Sequence, residues 1–342
     1  MNSINSGERS YAYAKACGII GRSFVGKRIR NLESVSRLSE LDRMIFPDTS
    51  RDLPEKELVV DLEDRILSRA VSSIISIINC FDNPPEFLIL LLRGFEYADL
   101  KSAILSIFDK EAKAPAHSDL GRFQTVHFSK WPDIAAMVKG TEFSFILKDK
   151  DTLEKEDVTL ETILDIHYYK TLWKSLMDLP GRDRVISEKI LSDEISLKNS
   201  CLALRLRTYY GMSPKEIKPH LIDIKISGKK QSLADDAVRC LDLPLDELSA
   251  WSSWRWKKFL NSTPGEGLRH WHADPRYFQN TASRYLYRLA KKNFHLHPFS
   301  LDSIFCFVKL KLFEEDILTS GVEGLNMGMS NRDIFSMLGA ES

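Results

Sequence analysis

The sequence predicts an all-α fold, and three observations carry that expectation. Apolar residues recur three or four apart over seven long stretches, at 11–29, 58–78, 86–108, 160–179, 185–210, 281–293 and 301–324. Strand-like alternation is confined to 143–146 and 222–226, which predict small hairpins or caps at most. Helix stop-and-start signals also occur twice in nearly the same residues.

Those signals are Gly211-Met-Ser-Pro-Lys-Glu-Ile and Gly328-Met-Ser-Asn-Arg-Asp-Ile. Glycine suits the left-handed residue that ends a helix, serine caps the next one, and the acid three residues on closes a capping box. Pro214 falls at the first helical position, where its missing N–H costs nothing. The preceding helices correspond weakly, Asp193-Glu-Ile-Ser-Leu-Lys-Asn beside Glu314-Glu-Asp-Ile-Leu-Thr-Ser, with a fainter third relative at Glu96-Tyr-Ala-Asp-Leu-Lys-Ser. Three related helical units are therefore expected. The expected boundaries are 1–115, 116–230 and 231–342, the last containing a basic aromatic segment at 251–297. A grouping of the first and last helices into one domain is the alternative. The stretches 109–121 and 227–232 read as linkers.

Composition sets the outer bounds. In 342 residues, 43% are apolar and 28% charged, as in an ordinary globular protein. Lysine plus arginine balances aspartate plus glutamate at 48 each, so any polyanionic partner needs a local patch. Five scattered cysteines without a paired spacing read as free thiols of a reducing compartment. No secretory signal is expected at the N-terminus. The apolar run at 70–92 is broken by Asp82 and Pro84-Pro85, leaving pieces too short to span a bilayer, so a soluble protein is expected.

Four motifs invite chemistry. Gly21-Arg-Ser-Phe-Val-Gly26-Lys27-Arg28 matches a phosphate loop except that Arg28 replaces the magnesium-binding hydroxyl, and no strand precedes it. A long amphipathic helix with basic residues outward is the stronger reading. His270, His272, His295 and His297 could offer imidazoles to a metal, but histidines two apart on a helix diverge, and surface positions are expected. From Trp251 to His295 there are nine Lys or Arg, two acids and four of the six tryptophans, a composition that single-stranded nucleic-acid binders use. An interface with a basic rim, or a position near lipid headgroups, fits it as well. Glu314-Glu315-Asp316 are adjacent, hence about 100° apart on a helix, and do not converge on one substrate atom. No catalytic, cofactor-binding or metal-binding residue is assigned.

Taken in order, several runs resemble the C-subunit family of V-type (archaeal A-type) ATP synthases, whose eukaryotic relative is the d-subunit of the vacuolar ATPase. They are Tyr11-Ala-Tyr-Ala-Lys-Ala, Ser39-Glu-Leu-Asp-Arg, Asp165 with Tyr168-Tyr169, Glu194-Ile-Ser-Leu-Lys-Asn through Leu204-Arg-Leu-Arg-Thr-Tyr-Tyr-Gly-Met-Ser-Pro, and Phe307-Val-Lys-Leu-Lys-Leu-Phe-Glu-Glu-Asp-Ile with Gly324-Leu-Asn-Met-Gly-Met-Ser. The resemblance implies a funnel or cup of three similar helical domains without enzymatic activity or cofactor. It also implies a place on the cytoplasmic face of the membrane, between the proteolipid ring and the D and F stalk proteins, with no nucleic-acid partner. Whether ATP is made or consumed, and whether protons or sodium ions move, belongs to other parts of such a complex. Docking candidates by type and position are Arg93, Glu96, Arg205, Arg207, Tyr209, Lys311, Glu314 and Glu315, with Trp254 and Arg255 from the basic aromatic segment. Ordinary solvated charges or helix-end pairs are the competing reading. The segment from Trp251 to His297 is longer and more aromatic than in archaeal members and resembles bacterial versions.

Overall fold

The computed structural model describes residues 6–107, 113–147, 159–226, 230–265, 269–330 and 334. Among them the α-helices are α1 (Ser6–Ile20), α2 (Leu38–Ile45), α3 (Glu55–Ile78), α4 (Glu86–Ser106), α5 (Ile134–Val138), α6 (Leu160–Met177), α7 (Val185–Tyr210), α8 (Pro214–Ile217), α9 (Asp235–Leu241), α10 (Pro275–Asn293) and α11 (Leu301–Asn326). The fold is all-α. No strand forms among the described residues, and 222–226 contributes only an isolated antiparallel bridge from Lys225 to Ser232. The other alternating piece is a 3-10 turn, Glu142–Leu147, which buries Phe143 and Ile146.

Local chemistry sets the helix ends. The α3 helix starts after Pro54, carries Glu55 and Glu57 where the positive end of the helix dipole favours acids, and buries a single stripe of Leu58, Leu62, Ile66, Ala70, Ile74 and Ile77. The α7 helix runs 26 residues without Gly or Pro and stops at Gly211, whose φ of +63° is cheap only for glycine. Immediately after it, the Glu216 carboxylate accepts from the backbone N–H and hydroxyl of Ser213, at 2.7 and 2.6 Å, as the capping motif predicts. Gly328 likewise ends α11 with φ +76°. The capping half of that second copy lies partly outside the described residues.

One predicted helix is interrupted. The stretch 11–29 is not continuous, because α1 stops at Ile20 and a 3-10 turn begins only at Gly26. Between them the Phe24 N–H donates to Glu314 and the Gly26 N–H to the Tyr287 hydroxyl. Gly26 adopts φ +65° at this bend. Amides pointed at distant side chains are not available for helical bonds, so long-range pairing overrides the local periodicity.

The chain forms two compact units. Unit 1 comprises Met1–Pro85, Pro180–Ile190 and Asn280–Ser342, and unit 2 comprises Glu86–Leu179 and Leu191–Gln279. The first and last helices thus share a unit, and the boundaries predicted at 115 and 230 both fall inside unit 2. The reason is packing: α11 lies against α1, α2 and α3, so elements remote in sequence close one core. In unit 1, α11 buries Ile304, Phe305, Phe307, Val308, Leu310 and Ile317. The fully buried Asp302 carboxylate accepts from the first amides of α7, Ile186 N at 3.1 Å and Ser187 N at 2.8 Å. In unit 2, α4 packs on α6 around Tyr97, Leu100, Ile104, Phe143 and Leu164. Gly94 permits the approach, since a Cβ there would lie 2.8 Å from the Tyr168 hydroxyl.

Gly324 makes a similar allowance in unit 1, where a Cβ would lie 2.1 Å from Ile334 Cδ1. Gly324→Ala is expected to destabilise the chain by about 1–3 kcal/mol in urea unfolding. In an Ile334→Ala background, which removes the clash, the same substitution should cost less than half as much.

Candidate functional site

The predicted docking residues separate into buried and exposed sets. Lys311 and Glu314, one turn apart on α11, are 2% and 1% exposed. Glu314 is the centre of a buried ionic cluster in unit 1. One carboxylate oxygen accepts from Phe24 N at 2.8 Å and Arg69 Nη2 at 3.0 Å, and the other takes Lys311 Nζ. Lys311 also reaches the Ser23 hydroxyl at 3.3 Å. Arg69 donates to the Ile45 carbonyl at 3.1 Å, and its guanidinium lies 5.3 Å from the Phe46 ring centre. The cluster therefore ties α2, α3, α11 and the bend after α1 together. A small cavity of about 220 Å³ remains beside it, lined by Ile19, Arg22, Ser23, Arg69, Ser73 and the Lys311–Glu314 pair.

Burial opposes the charge on Glu314, but Lys311, Arg69 and the Phe24 amide outweigh it and hold the carboxyl below its ordinary value. Burial lowers Lys311 against the pull of Glu314. The neighbouring Glu315 meets only a weak donor there, the Thr319 hydroxyl at 3.4 Å. Burial, and then the charge of Asp316, push its carboxyl up to about 7. Adjacent acids on one helix thus titrate oppositely, set by which face of α11 each occupies.

In unit 2, Glu96 is fully buried and accepts from the amides of Thr125 and Val126, both at 2.6 Å, fastening that turn to α4. Arg93 braces the same region through the Phe123 carbonyl and Glu142, each at 3.3 Å. Trp254 is 4% exposed with its indole N–H on the Asp236 carbonyl at 2.8 Å. Arg207 donates to the Cys240 carbonyl at the end of α9. Arg255 lies over the Trp256 ring and pairs with Asp193 and Asp236. Arg255 stays exposed, as does one face of α7, where Lys198, Arg205 and Tyr209 recur at helical spacing, with Tyr210 beside them.

Four of the ten docking candidates, Glu96, Trp254, Lys311 and Glu314, are buried, with polar atoms bonded within their own unit. Three tryptophans of the basic aromatic segment lie inside as well. Trp251, Trp254 and Trp256 are core residues with N–H partners at Pro244, Asp236 and Ser196, so none is a stacking platform for bases. In the phosphate-loop look-alike the Phe24 and Gly26 amides face inward, engaged by Glu314 and Tyr287. Of the four histidines, His295 bonds Tyr13 at 2.8 Å, His297 is 3.8 Å from Asp302, and His272 is 3.2 Å from the Ala273 carbonyl. Sequence reasoning missed Arg69 and Asp302. Nothing local marks Arg69, whereas Asp302, two residues after the Ser300 helix start, carries only a generic capping signal.

Together these features define a class, a helical scaffold whose buried ions join chain segments and whose exposed charges lie on helix faces. No described helix is long and apolar enough to cross a membrane. The chain belongs to the ATP synthase (C/AC39) subunit family, which matches residues 48–337. An uncharacterized protein of Treponema pallidum (strain Nichols) is 29% identical over 322 residues, spanning 93% of this chain and 92% of that protein.

Glu314→Ala leaves the buried Lys311 without its counter-ion and takes the same partner from the half-buried Arg69, and should cost about 3–5 kcal/mol in urea unfolding at neutral pH. Glu315 gives the opposite pH signature. Its folded pKa exceeds the unfolded value, so between 4.5 and about 7 the unfolded chain loses the proton first and stability falls as pH rises. Glu315→Gln should therefore match the parent near the low end of that window and exceed it by about 1–3 kcal/mol above the high end.

Proposed function

We propose that this chain is a non-catalytic central-stalk subunit of a V-type ATPase or ATP synthase, a socket coupling the D and F stalk proteins to the membrane proteolipid ring. It would work at the cytoplasmic face as a peripheral component, in ion transport linked to ATP hydrolysis or synthesis. Membership of the family supports the setting. The observation that carries the docking role is the exposed face of α7.

This helix, 26 residues or about 39 Å long, buries Ile195, Leu197, Ala203 and Leu204 and leaves Lys198, Arg205 and Tyr209 to solvent. Arginine and tyrosine on a rigid support are the residue types that anchor protein partners, because they offer large contact area at little ordering cost. A socket needs stiffness rather than reactivity, and densely packed helices supply it because protein interiors are poorly compressible. The buried Glu314 cluster and the Glu96 brace each stiffen their own unit in the same sense.

Affinity capture of the tagged chain from gently solubilised native membranes is expected to recover the D, F and proteolipid proteins. Arg205→Ala with Tyr209→Ala should lower recovery of the stalk proteins about tenfold without changing the melting temperature. Recovery of neither stalk nor ring proteins by the parent chain would overturn the reading.

A further inference from the structure

Two segments of unit 1 contain no aspartate or glutamate, although the chain as a whole is neutral. Residues 9–32 carry six Lys or Arg, and residues 280–301 carry four together with two histidines. The fold brings these segments together. Gly26 N donates to Tyr287 Oη at 2.7 Å, and Tyr13 Oη meets His295 Nδ1 at 2.8 Å. The Lys291 ammonium lies against Gly26, 3.2 Å from where a Cβ would stand. The bend after α1, which resembles a phosphate loop only in sequence, is thereby seated beside the C-terminal turns of α10.

Several of these cations serve the interior. Arg9 pairs with Asp183, and Lys15 donates to the Ser76 carbonyl. The outward set is different. Arg22, Lys27 and Arg28 on the bend, and Arg288, Lys291 and Lys292 on α10, are all exposed. Arg28 folds back on the Gly21 carbonyl at 3.0 Å, which keeps its charge on the bend. Directly after α10 the chain exposes two large apolar side chains, Leu296 at 58% and Phe299 at 51%. Phe299 sits at φ +68°, an unusual conformation for a side chain of its size. Its ring packs on Tyr13 at 5.5 Å, so the turn is fixed.

We propose that this face binds anionic phospholipid headgroups, with the cations meeting phosphate and with Leu296 and Phe299 entering the acyl boundary. Charge complementarity selects an anionic surface, because no acid interrupts either segment. The exposed apolar pair selects a lipid surface over a nucleic acid or an acidic protein, since cations flanking apolar anchors are the pattern of interfacial membrane contact. Beside these cations Tyr287 is stacked on Phe313 at 4.0 Å, and Phe294 is buried, so neither ring is free to stack on a base. This deepens the socket reading and rests on it for the reason the chain stands at a membrane. It adds a lipid contact to the protein ones.

The test is vesicle flotation of the full-length chain with phosphatidylcholine alone and with phosphatidylcholine containing phosphatidylglycerol. Binding is expected only to the anionic vesicles and should weaken with salt. The variant K27Q/R28Q/K291Q/K292Q should lose about a hundredfold in affinity or more, and L296S/F299S about tenfold. Circular-dichroism melts check folding. If the quadruple variant is unfolded, K27Q/R28Q and K291Q/K292Q are measured separately, each with a smaller loss in the same direction. Equal binding to neutral vesicles, no binding, or binding indifferent to these substitutions would overturn the proposal. So would an oligonucleotide or an acidic peptide bound in preference to the vesicles. Affinity capture separates this from the socket reading. A quadruple variant that still recovers stalk and ring proteins but no longer floats supports the lipid contact as a distinct surface. A chain that floats but recovers no such proteins keeps the lipid contact and removes the socket.

Discussion

Unit 1 is organised around one buried carboxylate. Glu314 collects an amide, a guanidinium and an ammonium, and these arrive from the bend after α1, from α3 and from its own helix. Three donors on one buried acid are strongly interdependent, since an unpaired charge there is far more costly than an intact cluster is favourable. The geometry consequently admits little play. Moving α11 along α3 would separate Glu314 from Arg69, and straightening α1 into the bend would take back the Phe24 amide. The apolar stripes of α3 and α11 bury the interior residues of the unit, and the directional bonds of the cluster add to that packing. The ionic cluster fixes the register.

Much of this architecture was legible in the sequence, and the parts that were not share a cause. The periodicity at 58–78 and 301–324 located α3 and α11 to within a few residues, and that at 185–210 matched α7, because amphipathic spacing is a local property. The cap after Gly211 was equally local, and the Ser213–Glu216 bonds bear it out. The break after Ile20 was not local. It depends on Glu314, some 290 residues away. The same blindness assigned Lys311, Glu314, Glu96 and Trp254 to a surface, since a charged or indole side chain looks identical in sequence whether water or a distant partner satisfies it. Glu314 and Glu315 are the sharpest case: adjacent, chemically alike, and pushed in opposite pKa directions by which side of one helix faces donors.

The family assignment gives these observations a common logic. The socket role proposed above would call for reactive-looking groups turned inward, where they stiffen, and adaptable groups placed on fixed helix faces. In unit 2 the braces Arg93, Glu96 and Trp254 lie inside while Arg205 and Tyr209 lie outside. In unit 1 the cations split the same way, with Arg9, Lys15 and Lys311 engaged in the fold and Lys27, Arg28, Lys291 and Lys292 exposed on its surface. Net neutrality therefore conceals a strong spatial sorting of charge.

The discontinuity of unit 1 bears on how the chain is made. During synthesis α1, α2 and α3 leave the ribosome early, whereas their packing partner α11 begins at residue 301. Until then Arg69 lacks its carboxylate and the apolar stripe of α3 lacks its cover. Unit 2 closes from a shorter span of chain that is complete earlier, by Gln279. Domains ordinarily fold in the order in which they emerge; here the inserted unit finishes before the one that encloses it in sequence. The N-terminal helices must wait with an exposed apolar face for nearly the whole of translation, an interval in which a chaperone or an early-bound partner protein has something to hold.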